Sequence, residues 1–301
     1  MKNWALFWLL GFIWGSSFLL IKIAVEELGV FGLVSLRVLI ASSLMMGYLL
    51  WQGYKMPQTS RELMGVLFVG IFNVALPFSL ITRAEEQIDS SLATILNSTV
   101  PLFGLIIAHF VLKDERLNFN KLLGLIIGYV GVIVLTSRGL SNTGNSPIEG
   151  QVMMLMAACS YGIAVVFIRA RLRSLHPFVI AGTSLLVGAI CIVPLTLILG
   201  DFPNITTLDQ TTLLTIVTLS VINTVIAYFI FYTLIDAWGA RATMVTYTFP
   251  PIGITLGAVF LGEVVDMRLI LGAILILLGI FAVNYKGNLA GRFTRRVAAN
   301  L

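Results

Sequence analysis

Residues 90–139 open with Ser90-Ser91-Leu92-Ala93-Thr94 and pass through Pro101 to the charged cluster Lys113-Asp114-Glu115-Arg116. They close on an apolar run carrying Gly124, Gly128 and Gly131. Residues 239–287 repeat this plan with Ala242-Thr243, Pro250, Glu263, Gly272 and Gly279. Ala93, Thr94 and Pro101 match Ala242, Thr243 and Pro250 at an offset of 149, and Glu115, Gly124 and Gly131 match Glu263, Gly272 and Gly279 at an offset of 148. One residue is therefore lost between proline and glutamate. The match reaches the unit starts: Trp14-Gly15 precedes Lys22 and Tyr161-Gly162 precedes Arg169, with the same glycine-to-cation spacing. The chain is two copies of one unit.

Composition fixes the solvent. In 301 residues, 58% are hydrophobic and 11% charged, with a mean hydropathy of +0.99. Apolar runs of about 20 residues, closed by charges or turn residues, recur throughout, and each can span a bilayer as a helix that satisfies its own backbone polar groups. The strict alternation of an outer-membrane barrel is absent. The net charge of +5 does not imply nucleic acid, because the basic residues sit at helix ends. Cys159 and Cys191 fall inside apolar runs, where cysteine packs as a small residue, and neither a disulfide framework nor a metal site is indicated. Met1-Lys2-Asn3 before an apolar run has the look of a signal peptide, but no small-x-small cleavage site precedes Glu26, so the run is read as an uncleaved first helix.

The expected fold is an all-α integral membrane protein of ten transmembrane helices, at 4–24, 33–52, 62–83, 89–112, 118–137, 150–170, 177–199, 209–235, 240–262 and 268–286. They form one five-helix repeat over 4–137, a second over 150–286, and a basic tail at 287–301. Five is odd, so the second unit is inverted relative to the first, the sign of a secondary transporter with its site at the repeat interface. With the N-terminus inside, fourteen Lys and Arg fall on inside segments, against Lys22, Arg83, Arg138 and Arg268 outside. That bias places both termini in the cytoplasm.

Trp14-Gly15-Ser16-Ser17-Phe18, the segment from Ser91-Leu92-Ala93 through Pro101 to Glu115-Arg116, and the glycines after it resemble the EamA-type domain of the drug/metabolite transporter superfamily. The resemblance covers both halves. It implies ten helices in two inverted repeats, a central cavity and export of small metabolites across the cytoplasmic membrane. Two departures, Gly262-Glu263-Val264 and Lys113-Asp114-Glu115, lie at helix ends and bear on loops more than on the cavity.

Several residues compete for roles. Asn73, Asn97 and Asn223 are intramembrane amides that face either a cavity or a neighbouring helix; Asn284 is read as interfacial. Trp14 and Tyr161 are repeat-equivalent and near helix centres, so they line the substrate path or pack, with Tyr228 and Tyr247 as further aromatic candidates. Arg37 either snorkels to the outer interface or serves as charge partner to an anionic substrate or a carboxylate. His109 is read as a hydrogen-bonded structural residue, and Lys113-Asp114-Glu115-Arg116 as a locally paired loop. Pro101 and Pro250 recur at matched positions as kinks or hinges. Glycine pairs such as Gly124/Gly128 serve packing within the repeat or a homodimer seam.

No Asp or Glu falls at the centre of an expected helix, and helix 1 lacks the buried glutamate on which small multidrug antiporters of the same superfamily rely, which argues against a proton-for-cation exchange of that kind. No catalytic set, cofactor motif or metal cluster is expected. The leading reading is an alternating-access exporter of small metabolites such as amino acids. The alternatives are a sugar-phosphate or nucleotide-sugar antiporter, a membrane-embedded enzyme on lipid-linked substrates, and a structural or receptor protein.

Overall fold

The computed structural model describes residues 2–113, 115–140 and 147–284; the expectations placed on Asp114, on the loop at 141–146 and on the tail 287–301 lie outside the described residues. Among the described residues the regular elements are all helices. Nine are long and apolar enough to cross a bilayer: α1 (Lys2–Trp51), α2 (Ser60–Glu85), α3 (Ser90–Val111), α4 (Phe119–Gly139), α5 (Ile148–Arg171), α6 (Pro177–Leu199), α7 (Gln210–Trp238), α8 (Ala242–Leu261) and α9 (Met267–Asn284). Large apolar side chains such as Trp8, Phe12, Ile133, Ile190 and Phe260 stand exposed on the outside, a surface suited to lipid.

α1 holds both helices expected at 4–24 and 33–52, joined across a kink in place of a loop. Its 50 residues would run about 75 Å if straight, more than twice the hydrocarbon thickness of about 30 Å. It is broken at Gly29, whose φ of 64° and ψ of 176° belong to glycine alone. The residues before Gly29 pack on α7 and α8 and those after it on α6.

Other interruptions come in pairs at matched places. α2 passes through a π-helical turn at Ile71–Ala75 and α7 through one at Thr218–Ile226, so each carries its asparagine (Asn73, Asn223) in widened backbone. α3 breaks at Ser98–Thr99 before restarting as Val100–Val111, and the polypeptide enters α8 through the 3₁₀ segment Gly239–Thr248 before the helix Phe249–Leu261. Pro101 and Pro250 each fall in the first turn of the restarted helix, where a missing N–H costs nothing. The expectation that they sit in helix interiors is therefore corrected. Thr99 Oγ1 donates to the Leu96 carbonyl and Thr248 Oγ1 to the Val245 carbonyl, both at 2.6 Å, so equivalent hydroxyls hold equivalent breaks.

Contacts between the halves are matched in the same way. α1 lies on α7 and α8, and α5 lies on α2 and α3. Gly15 abuts Ile252 as Gly162 abuts Phe103 and Gly104. α4 and α9 pair along a glycine seam in which a β-carbon on Gly124 would meet the Gly279 carbonyl and one on Gly131 the Gly272 carbonyl. The stripe at Gly124/Gly128 is thus used within the chain.

Candidate functional site

Arg37 lies eight residues beyond the Gly29 break and is 8% exposed, so it does not snorkel to the interface. Its Nε donates to Thr224 Oγ1 at 3.2 Å, and its guanidinium carbon lies 4.3 Å from the centre of the Phe78 ring, a cation–π contact. Thr224 in turn donates to the Leu219 carbonyl five residues back at 2.8 Å, which ties the Arg37 anchor to the widened turn of α7. Tyr161, Tyr228 and Glu85 lie close enough to interact with the Arg37 charge, and Asn73 approaches the Tyr228 hydroxyl. Among the described residues no side chain pairs with the Arg37 terminal nitrogens. A guanidinium held by its Nε alone presents its fork to a planar anion.

The structure thus brings Arg37, Tyr161, Tyr228 and Asn73 together. Asn223 is elsewhere: its amide donates to the Ile13 carbonyl and, at 3.0 Å, to Ser17 Oγ, which ties α7 to α1. Ser160 Oγ makes the matching tie from α5 to α2, reaching the Phe72 carbonyl at 2.6 Å. Trp14 packs with Phe231 and Phe249, at centroid distances of 5.1 and 6.1 Å, apart from the Arg37 group. Asn97 keeps an enclosed Oδ1 with no hydrogen-bond partner among the described residues. Tyr247 meets the exposed Asn284 amide at 3.1 Å.

A second polar region occupies the end of the bundle where α1, α3 and α8 meet. There a cavity of 370 Å³ is lined by Lys22, Glu26, Asp89 and Glu263 with apolar neighbours. Glu263 was expected to bear on loop structure more than on the cavity. Its carboxylate instead accepts from the Ser90 and Ser91 amides at 2.6 and 2.9 Å and from the Ser91 hydroxyl, a charge-assisted cap on the N-terminus of α3. Gly262, at φ 65°, turns the polypeptide back so that this reach is possible. Lys22 donates to the carbonyls of Glu85 and Ile88 at 2.5 and 3.0 Å. Arg138, expected in an outer loop, is fully buried: it bonds Asp266 at 3.0 Å and the Val264 carbonyl at 3.1 Å, with Asp89 at 3.8 Å. Burial, reinforced by the negative charge of Glu263, pushes the Asp89 carboxyl up to about 6.

At the opposite end, Glu115 binds Lys121 at 2.7 Å and Arg169 at 2.8 Å. These bonds hold its carboxyl below the usual range. The pairing reaches across to α5 and is not confined to the 113–116 loop as expected. His109 Nδ1 accepts from the Leu117 amide at 3.3 Å, in keeping with a structural role.

The reading from sequence missed Glu85, Arg138 and the Glu263 cap. The expected third helix stopped at 83, whereas α2 runs on to Glu85, which has no exposure. A helical-face argument carried two residues further would have found it, since Glu85 continues the buried face of Ile81, Thr82 and Ile88.

A sequence model of the EamA-like transporter family matches residues 3–137 and 148–285. An uncharacterized transporter of Archaeoglobus fulgidus is 28% identical, over 95% of this chain and 100% of its own length. The uncharacterized inner membrane transporter YedA of Escherichia coli is 32% identical over 52% of this chain and 49% of its own. A solved structure titled only as a crystal structure of protein superposes with a TM-score of 0.66 at 18% identity, covering 94% of this chain and 96% of that one, a likeness of fold.

Proposed function

The chain belongs to the EamA-like transporter family, and from that premise we propose that it exports small carboxylate-bearing metabolites, amino acids among them, by alternating access. The observation that carries this reading is Arg37: a buried guanidinium with an unengaged fork, set beside Tyr161, Tyr228 and Asn73 where two helices are widened. A charge inside a membrane protein is costly and marks a ligand path. In this reading the break at Gly29 divides α1 into two crossings, so the chain crosses ten times as two inverted five-helix repeats, 4–137 and 150–286. The distribution of Lys and Arg supports cytoplasmic termini. Arg37 receives the solute carboxylate, Tyr161 and Tyr228 wall the pocket, and the restarts at Pro101 and Pro250 act as equivalent hinges.

The test is efflux from proteoliposomes loaded with a mixture of radiolabelled amino acids. The wild-type protein should empty them faster than protein-free vesicles. Arg37→Gln should slow this about tenfold or more, as expected for losing a hydrogen bond between charged partners, while retaining the melting temperature. Equal efflux from both proteins, or none from either, would contradict the reading.

A further inference from the structure

Glu85 ends α2 with no exposure, and neither of its carboxylate oxygens has a hydrogen-bond partner among the described residues. The next residue behaves differently: Glu86 is exposed in part and pairs with Arg83. Three charged groups are near enough to act on Glu85: Lys22 and Arg37 of α1, and Glu263 beyond α8. Of the other elements packed against α2, α5 brings Glu149, which is exposed, and α3 brings the buried Asp89 at its start; the π-helical turn of α2 itself has no titratable side chain. Lys22 does not bond the carboxylate. Its ammonium is spent on the backbone carbonyls of Glu85 and Ile88.

An ionised carboxylate sealed from water without a donor is strongly disfavoured, and the neutral acid is the form such a site accepts. Ionisation becomes tolerable once a cation turns to it. The two cations at hand belong to the two polar regions already described: Lys22 lines the open vestibule, and Arg37 forms the core of the proposed solute site. Glu85 therefore stands between them, where gaining or losing one proton decides which cations are free.

We propose that Glu85 is a proton-binding site that couples solute movement to proton movement. This rests on the transporter reading above. The carboxyl holds its proton in the conformation seen here, with the vestibule open and Lys22 turned to backbone carbonyls. In the opposite-facing conformation it releases the proton to the other side, and the carboxylate left behind draws Lys22 or Arg37. One O–H bond is broken and re-formed per cycle, with water on the two sides as donor and acceptor.

Two measurements on the full chain test this, and they fail separately. Infrared difference spectroscopy of the purified protein in lipid nanodiscs, titrated across neutral pH, should show a protonated-carboxyl band that vanishes in Glu85→Gln and shifts in Glu85→Asp. An unchanged band in both variants would overturn the proposal, and the aspartate variant carries the comparison if the glutamine variant does not fold. In proteoliposomes with the radiolabelled amino-acid mixture, a gradient of one pH unit should sustain about a tenfold solute gradient if one proton is exchanged per solute. The flux remaining in Glu85→Gln should show no pH response, with partial return in Glu85→Asp. A pH response in Glu85→Gln equal to wild type would overturn the proposal. Absence of any amino-acid flux in wild type would refute the transport reading, and the infrared band would still decide whether Glu85 holds a proton.

Discussion

The two ends of the molecule are built from equivalent residues and are held differently. Lys22 corresponds to Arg169 and Glu263 to Glu115. At one end Glu115 and Arg169 form a direct ion pair with Lys121 alongside. At the other, Lys22 turns to backbone carbonyls, Glu263 caps α3, and a 370 Å³ cavity lies between them. Small residues explain the divergence. Gly262 reverses the polypeptide in a left-handed turn, and a β-carbon on Gly257 would collide with the Glu263 carboxylate. In the first half the position equivalent to Gly257 is Ala108, and Lys113-Asp114 stands where Gly262 would. The same glutamate therefore folds back as a helix cap in one repeat and reaches outward to cations in the other. A repeat shares a scaffold, and single glycines decide how its end is closed.

The largest effect should come from Arg138. Removing one partner of a buried ion pair leaves the other charge uncompensated, at about 3–5 kcal/mol. Arg138→Ala should therefore lower unfolding stability in detergent severely, and pairing it with Asp266→Ala should recover part of the loss. A mild effect would mean that this end is not clamped by Arg138.

Glu263→Gln should cost less, about 1.5–3 kcal/mol, as bonds to a charged acceptor become ordinary ones. Gly257→Ala should reproduce part of that loss by displacing the carboxylate, whereas Ala108→Gly in the other repeat should not stabilise. The equivalent Glu115→Gln should cost only about 0–1 kcal/mol, because Arg169 is a surface partner. Thermal melts of the four variants would show whether the two glutamates differ in this order.

The last effect is a pH dependence. The Asp89 carboxyl, pushed up from its ordinary 3.8 to about 6, favours the folded state in its neutral form. Its contribution is full below about pH 4 and is lost as pH rises through about 6. Wild type should lose stability across that window relative to Asp89→Asn. Melting temperatures that respond to pH identically in the two proteins would contradict the raised Asp89 carboxyl.

Much of this was legible in the sequence. Hydropathy marked the spans, and the offsets of 149 and 148 marked two units whose matched breaks, ties and glycine contacts reappear in three dimensions. Arg37, Tyr161, Tyr228 and Asn73 were named singly, but the sequence could not say that they converge. Asn73 and Asn223 looked alike as intramembrane amides, and both sit in widened turns; only their neighbours separate a pocket residue from a tie to α1. Glu85 and Arg138 were misplaced because charge suggested a helix end in water, and tertiary burial overrode that expectation. The helices expected at 4–24 and 33–52 are both there, but the gap between them narrows to Gly29, the one residue whose backbone leaves the helical region, so the sequence located the break and overestimated its length.

Alternating access requires the Glu115–Arg169 end to open during transport. The most direct measurement places cysteines at 115 and 169, with Cys159 and Cys191 replaced by alanine, and joins them with a short reducible bifunctional reagent in proteoliposomes loaded with radiolabelled amino acids. Alternating access predicts that the cross-link stops efflux and that reduction restores it. Efflux continuing at full rate through the cross-linked protein would contradict it.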